Sequence, residues 1–145
     1  MRNVTEMIND IESGKLDISR IYVCSPLSAK TKEGTLRNML LAKDKCCFLN
    51  GMFKSYGIKA WAPHAYLPTF LDDSVEAERN LALKFGMELL GMSDIIYVFG
   101  PKLSEGMKGE INYAIENEMD IIVDGDIVEI VKAYVKEKAR ELKGE

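Results

Sequence analysis

Apolar and polar positions along the chain fall into short solid apolar runs that alternate with longer segments of helical spacing. Ile21 to Cys24, Ile58 to Ala62, Asp94 to Phe99 and Ile121 to Val123 are the apolar runs. Each is closed by a breaker: Ser25-Pro26, Pro63, Gly100-Pro101 and Asp124-Gly125. Continuous rather than alternating hydrophobicity predicts strands covered on both faces. Between them lie helices predicted from about Thr35 to Tyr56, from Ser74 as N-cap to about Gly91, from Ser104 to about Asn117, and from Ile127 to about Leu142. Val4, Met7, Ile8 and Ile11 predict one further helix within an accessory segment, residues 1–19, packed on the core or on a second subunit. Residues 63–73, with three aromatic or histidine side chains and two prolines, read as a loop.

Strand and helix therefore alternate four times. That order predicts α/β architecture: one doubly wound, flavodoxin-like or Rossmann-like parallel sheet with helices on both faces, spanning residues 1–145 as a single domain. Ligands of such sheets bind outside the carboxyl ends of the strands. Four stretches meet there: Ser25 to Ala29, Pro63 to Asp73, Gly100 to Glu110, and the turn after Val123.

Composition narrows the function classes. At 145 residues, 47% hydrophobic and 29% charged, the chain suits a packed domain without disulfides or metal. A net charge of −4 argues against a nucleic acid polymer as partner. No stretch reads as a signal peptide or membrane span, and Cys24, Cys46 and Cys47 fit neither a disulfide framework nor a zinc site. A cytoplasmic location is expected, with no metal and no cofactor. His64, the only histidine, has no ligand cluster around it.

The run from Phe99 to Ala114 carries the sharpest chemistry. Ser104 is placed to cap a helix, Gly106 and Gly109 admit close approach to the backbone, and the free N–H groups suit an anion. Glu110 stands at helical spacing from Met107 and Ala114 and is expected half-buried at the strand ends. Spacing alone leaves an ordinary solvated glutamate open. His64 reads as a structural or a substrate-facing residue. Asp72 and Asp73 read as helix caps or as base contacts, and Arg79 as a phosphate contact or a surface ion pair. Trp61 and Tyr66 could wall a base-stacking pocket or simply pack.

The pattern Ser104-x-Gly106-Met107-x-x-Glu110-Ile111-x-x-Ala114 resembles the nucleophile motif of the nucleoside 2-deoxyribosyltransferase group and its nucleotide N-hydrolase relatives. The resemblance runs over roughly residues 20–125. Pro63-His64-x-Tyr66-x-Pro68 and Leu71-Asp72-Asp73 with Arg79 are similar to a phage- and Firmicute-rich branch of that group. The resemblance implies cleavage or transfer at the N-glycosidic bond of a nucleoside or nucleoside 5′-monophosphate. It assigns Glu110 as nucleophile and Tyr22 as its orienter. Ser25 and Pro26, in the loop after the first strand, with Ser104, Gly106 and Met107, are implied to shape the sugar or phosphate site. Asp72, Asp73, His64 and Arg79 are expected as base or phosphate contacts, and the chemistry of glycosidases pairs Glu110 with Asp73, brought in by the loop, as the second acidic group. Serine rather than aspartate at position 104 favours a hydrolase over a transferase, and a homo-oligomer is implied. One departure stands out: the group's aspartate in the helix before the central strand is missing, since that stretch reads Lys84-Phe85-Gly86-Met87. Two rivals follow, a non-catalytic nucleotide-binding or sensor domain on the same fold and a phosphoribohydrolase of the cytokinin-activating type.

Overall fold

Four parallel strands pair in the order β2-β1-β3-β4 in the computed structural model, which describes residues 1–144. The strands are β1 (Arg20–Cys24), β2 (Lys59–Trp61), β3 (Ile95–Val98) and β4 (Asp120–Val123). In the register, Tyr22 lies between Trp61 and Ile96. The helices are α1 (Val4–Glu12), α2 (Lys32–Met52), α3 (Pro63–Tyr66), α4 (Glu76–Gly91), α5 (Glu105–Glu116) and α6 (Val128–Leu142). This is the expected α/β doubly wound sheet. The chain leaves β1 in one direction to form β2 and returns past it to form β3, so the sheet reverses its winding between β1 and β3. Crevices open at the carboxyl ends of the strands at such a reversal.

Side chains alternate across a strand, and the two faces divide the core accordingly. Ile21, Val23, Ile95 and Tyr97 face one cluster, filled by Ala42, Cys46 and Leu49 of α2 and by Met7 and Ile11 of α1. Tyr22, Cys24, Ile96 and Val98 face the other, filled by Leu90 of α4, Met107 and Ile111 of α5, and Val131 of α6. The N-terminal segment packs on the core of its own chain. Arg2 bridges to Ile122 at the β4 edge, and its guanidinium pairs with Asp10 at 2.8 Å and Asp120 at 2.6 Å.

Several boundaries differ from the sequence expectation, each for a local reason. Helix α2 begins earlier, at Lys32, because the Thr31 hydroxyl accepts the Gly34 N–H at 3.0 Å. It ends at Met52, and a 3-10 turn over Lys54–Tyr56 closes on Gly57 at φ 71°. Residues 63–73 are not a plain loop. Pro63 starts α3 at the position where its missing N–H costs nothing, and a 3-10 turn follows over Leu67–Thr69. Ser74 does not cap α4. Its hydroxyl and N–H both donate to the Asp72 carboxylate, at 2.6 and 2.9 Å, and the helix starts after Val75 without a side-chain cap.

Asp94, at the mouth of β3, accepts the N–H groups of Ser19 and Arg20 at 2.6 and 2.9 Å. It thereby sets the register of β1 against β3. Among the described residues no helix is long and apolar enough to cross a membrane.

Candidate active site

The cavity that matters opens between the carboxyl end of β1, the turn after β2, α4 and the first turns of α5. Its volume is about 360 Å³, within the range of small-molecule sites. Tyr22, His64, Asp73, Arg79, Gly106 and Glu110 all line it. These six sequence-nominated residues come from five separate segments and meet only in the fold.

Glu110 sits at the floor. Helix α5 turns its Met107, Ile111 and Ala114 stripe onto the sheet, and Glu110 shares that buried side. The residue is 8% exposed. One carboxylate oxygen accepts the Tyr22 hydroxyl. The other lies 3.6 Å from the Cys24 Sγ. Both partners point the same way because they are two residues apart on β1.

Burial pushes the Glu110 carboxyl above the usual carboxylate range. The charge of His64 and the hydrogen bonds from Tyr22 and Cys24 pull the other way. Tyr22 is pushed far above the ordinary phenol value, first by burial and then by the adjacent Glu110 charge. It therefore keeps its proton and remains a donor.

The walls are set by local chain geometry. Ser104 caps α5 through the Met107 N–H at 3.3 Å, while the Met107 sulfur accepts the Ser104 N–H at 3.5 Å. That reciprocal cap aims the helix start, with Gly106 and Gly109, at the cavity. Gly100 adopts φ 135°, and a Cβ there would sit 2.5 Å from Pro26 Cδ. The turns after β1 and β3 thus interlock only with glycine at this position. His64 places its Nδ1 2.8 Å from the Ser25 carbonyl oxygen. A carbonyl only accepts, so Nδ1 carries the hydrogen and Nε2 is left free. The Asp73 carboxylate accepts the Ser28 hydroxyl at 3.4 Å.

Five nominated residues lie off the cavity walls. Met107 is fully buried beneath α5 and serves the core. The Ser104 oxygen is spent on the helix cap. Pro26 packs on Gly100 on the side facing Asn38 and Leu41 of α2. Ser25 is 2% exposed and supports His64 through its backbone carbonyl, while its own hydroxyl lacks a partner. Asp72 belongs to a neighbouring open cleft of about 640 Å³ at the start of α2, which adjoins the cavity through Pro68, Leu71, Asp73 and Glu78. Trp61 and Tyr66 line neither space. The Trp61 indole donates to the Ser93 hydroxyl at 2.7 Å, and Tyr66 is exposed.

Sequence reasoning missed four contributors. Cys24 was noted only as one of three cysteines that fit neither a disulfide framework nor a zinc site, yet it contacts the central carboxylate. Glu78 of α4 lines the cavity beside Arg79. Gly86 and Met87, noted only for lacking an aspartate, form the α4 wall. A Cβ on Gly86 would lie 3.4 Å from the Tyr22 hydroxyl oxygen. The helical spacing Arg79, Ala82, Leu83, Gly86 was the available signal for that wall. Among the described residues no group of three or more His, Cys, Asp or Glu side chains is placed to hold a metal ion.

Comparison with known proteins bears on this arrangement. No match was found among curated proteins. One similar solved structure is a 2-deoxyribosyltransferase from the psychrotolerant bacterium Bacillus psychrosaccharolyticus. The two superpose with a TM-score of 0.51 at 15% sequence identity, over 72% of this chain and 71% of that one. At that identity the likeness establishes a shared fold. A family profile matches residues 19–124, from the strand that carries Tyr22 to the end of β4, with Glu110 inside it, and the chain belongs to that family, described as Domain of unknown function (DUF7768).

Proposed function

We propose that the protein cleaves the N-glycosidic bond of a nucleoside or nucleoside 5′-monophosphate, with Glu110 as nucleophile and water favoured over a second base as acceptor. The observation that carries this reading is a buried carboxylate at the floor of a nucleoside-sized cavity, held by a tyrosine hydroxyl on one oxygen. The fold shared with a 2-deoxyribosyltransferase supports it, as does the resemblance of the Ser104 to Ala114 motif to that group. Serine at position 104 supports the preference for water through the same resemblance, although its hydroxyl caps α5 rather than facing the cavity.

The chemistry balances with residues at hand. The Glu110 carboxylate attacks the anomeric carbon as the carbon–nitrogen bond breaks. The electron pair leaves on the base nitrogen, which receives a proton through Asp73 on the cavity wall. Water then attacks the same carbon, gives its proton to the Asp73 carboxylate left by the first step, and releases Glu110 and the free sugar. Leu27, Pro63, Leu67, Leu83 and Met87 supply apolar surface for the base. Tyr22 fixes the carboxylate rotamer, and its hydrogen bond opposes the upward push of burial on the Glu110 carboxyl.

Self-association belongs to the same proposal. Helix α4, which forms one cavity wall, leaves Leu81, Leu83 and Phe85 about half exposed, and a second copy of the chain would cover them. Light scattering reads this directly.

The deciding experiment is chromatographic. Nucleosides and their 5′-monophosphates are incubated with the protein, with and without an acceptor base, alongside Glu110→Ala. Release of free base that vanishes in the variant supports the hydrolase, and exchange of bases supports the transferase. The rival reading, a nucleotide-binding sensor, is favoured by Gly86 and Met87 on the α4 wall, which stand where the resembled group carries its aspartate. Tight binding of an intact nucleotide without turnover selects it.

A further inference from the structure

The proposed chemistry uses Glu110, Tyr22 and Asp73, and leaves the second oxygen of the central carboxylate unexplained. That oxygen faces a buried thiol. Cys24 is the last residue of β1 and is completely buried. Its Sγ lies 3.6 Å from Glu110 Oε1 and 4.0 Å from the Met107 carbonyl oxygen. A thiol has one proton to donate. Given a choice between a carboxylate at 3.6 Å and a neutral carbonyl at 4.0 Å, the charged and nearer acceptor takes it. Tyr22, two residues earlier on the same face of β1, already holds Oε2.

We infer that Cys24 is a positioning residue for Glu110: its thiol hydrogen-bonds Oε1 and, with Tyr22 on Oε2, clamps the carboxylate from one rigid strand. The inference rests on Glu110 being the reacting group, but the clamp itself is a property of the resting protein. Burial pushes the Cys24 thiol well above its ordinary value, with the Glu110 charge adding to the effect, so the sulfur stays protonated and remains a donor. The choice of sulfur has a chemical consequence. A thiol is a weaker donor than a hydroxyl. It orders Oε1 while withdrawing less of the electron density that the oxygen brings to an electrophile. A strand-borne donor is also fixed by the pairing of Cys24 with Val98 of β3, so no loop motion loosens it.

The other charged and titratable groups facing Glu110 are His64 from α3, Asp73 from the segment after it, Glu78 and Arg79 from α4, and Glu105 from the first turn of α5, with Tyr22 on β1. All are unchanged in Cys24 variants, so a shift in Glu110 titration reports the thiol.

The test compares Cys24→Ser, Cys24→Ala and Cys24→Val with the parent. Protein labelled with carboxyl carbon-13 glutamate is titrated by NMR, and the Glu110 resonance is assigned by its loss in Glu110→Gln. Removing the donor in the alanine and valine variants weakens Glu110 as an acid by roughly threefold or more, the scale of a weak charge-assisted hydrogen bond. The serine variant, which keeps a donor, titrates like the parent or lower. In turnover, the acid limb of kcat/KM follows the same order, and serine rescues what valine loses. A merely packing role predicts the opposite pattern: valine or alanine behaves like the parent, and serine fares worst because it buries a hydroxyl. Equal Glu110 titration in all four proteins overturns the inference. If no nucleoside is turned over, the titration still decides the clamp, so its failure and the failure of the glycosidase reading are told apart.

Discussion

Replacing Tyr22 by phenylalanine removes one oxygen from a side chain that is 1% exposed and leaves the ring packing intact. That oxygen donates to the Glu110 carboxylate. A hydrogen bond to a charged group contributes about 1.5–3 kcal/mol. At about 1.4 kcal/mol per tenfold, the loss corresponds to roughly 10- to 150-fold in kcat/KM. The surviving Cys24 contact places the expectation near the lower end. Burial already holds the Glu110 carboxyl above its unfolded range, so its protonated form is the one folding favours. That stability is fully present below the unfolded carboxylate range and is lost as pH rises through the folded value. Taking away a donor raises the folded value further. The melting-temperature gap between parent and Tyr22→Phe therefore opens as pH climbs above the carboxylate range and closes in acid. The acid limb of the kcat/KM profile moves to higher pH. The assays are base release across pH and calorimetry on the same buffers. Activity within twofold of the parent, an unmoved acid limb and a pH-independent gap in melting temperature would together refute the role given to Tyr22.

Three other perturbations test the frame around the site. Gly86→Leu keeps a helical position but drives a side chain into the cavity beside the Tyr22 hydroxyl; nucleoside binding by calorimetry drops more than about tenfold with no fall in melting temperature, and unchanged binding would place the substrate elsewhere. Gly100→Ala meets both a φ of 135° and Pro26 at 2.5 Å; a cost of at least ~2 kcal/mol, roughly 4–8 °C in melting temperature, is expected, and a melting temperature equal to the parent's would show that the two turns do not interlock. Asp124 is pushed up by burial but held below the usual range by the Tyr97 hydroxyl at 2.6 Å and Lys45 at 3.0 Å; its stabilising effect is present above the unfolded carboxylate range and lost as pH falls through the folded value, so Asp124→Asn is destabilised near neutrality and converges on the parent in acid, where a constant difference in denaturant midpoint would contradict the assignment.

The strand runs and their breakers were legible in the sequence because a doubly covered parallel sheet demands continuous apolar segments. β3, at Ile95–Val98, is the plainest instance, and the alternation of elements determined the doubly wound sheet around it. Glu110 and Tyr22 were nominated through the family resemblance, but no spacing shows that residues 88 positions apart share a hydrogen bond. That contact exists because β1 and β3 pair in parallel and α5 packs back across them. Likewise, Met107 and Ser104 belong to the same motif as Glu110, yet one is spent on the core and the other on a helix cap. A helix has one buried side, and capping consumes its first hydroxyl.

The same limit governs the rest. Short-range features such as Pro63 starting a helix turn, or Ser74 bonding Asp72 rather than capping α4, turn on competition between local hydrogen bonds that sequence spacing does not rank. The sequence by itself determined the four strands and the five longer helices, and which acidic residue stands at the sheet's ligand end, because period and punctuation are local properties. Only the tertiary structure decided that Cys24 touches Glu110, that Asp73 rather than Asp72 reaches the cavity, and that Gly86 forms its wall. Those facts depend on side chains from distant segments converging, and convergence is a property of packing rather than of order along the chain.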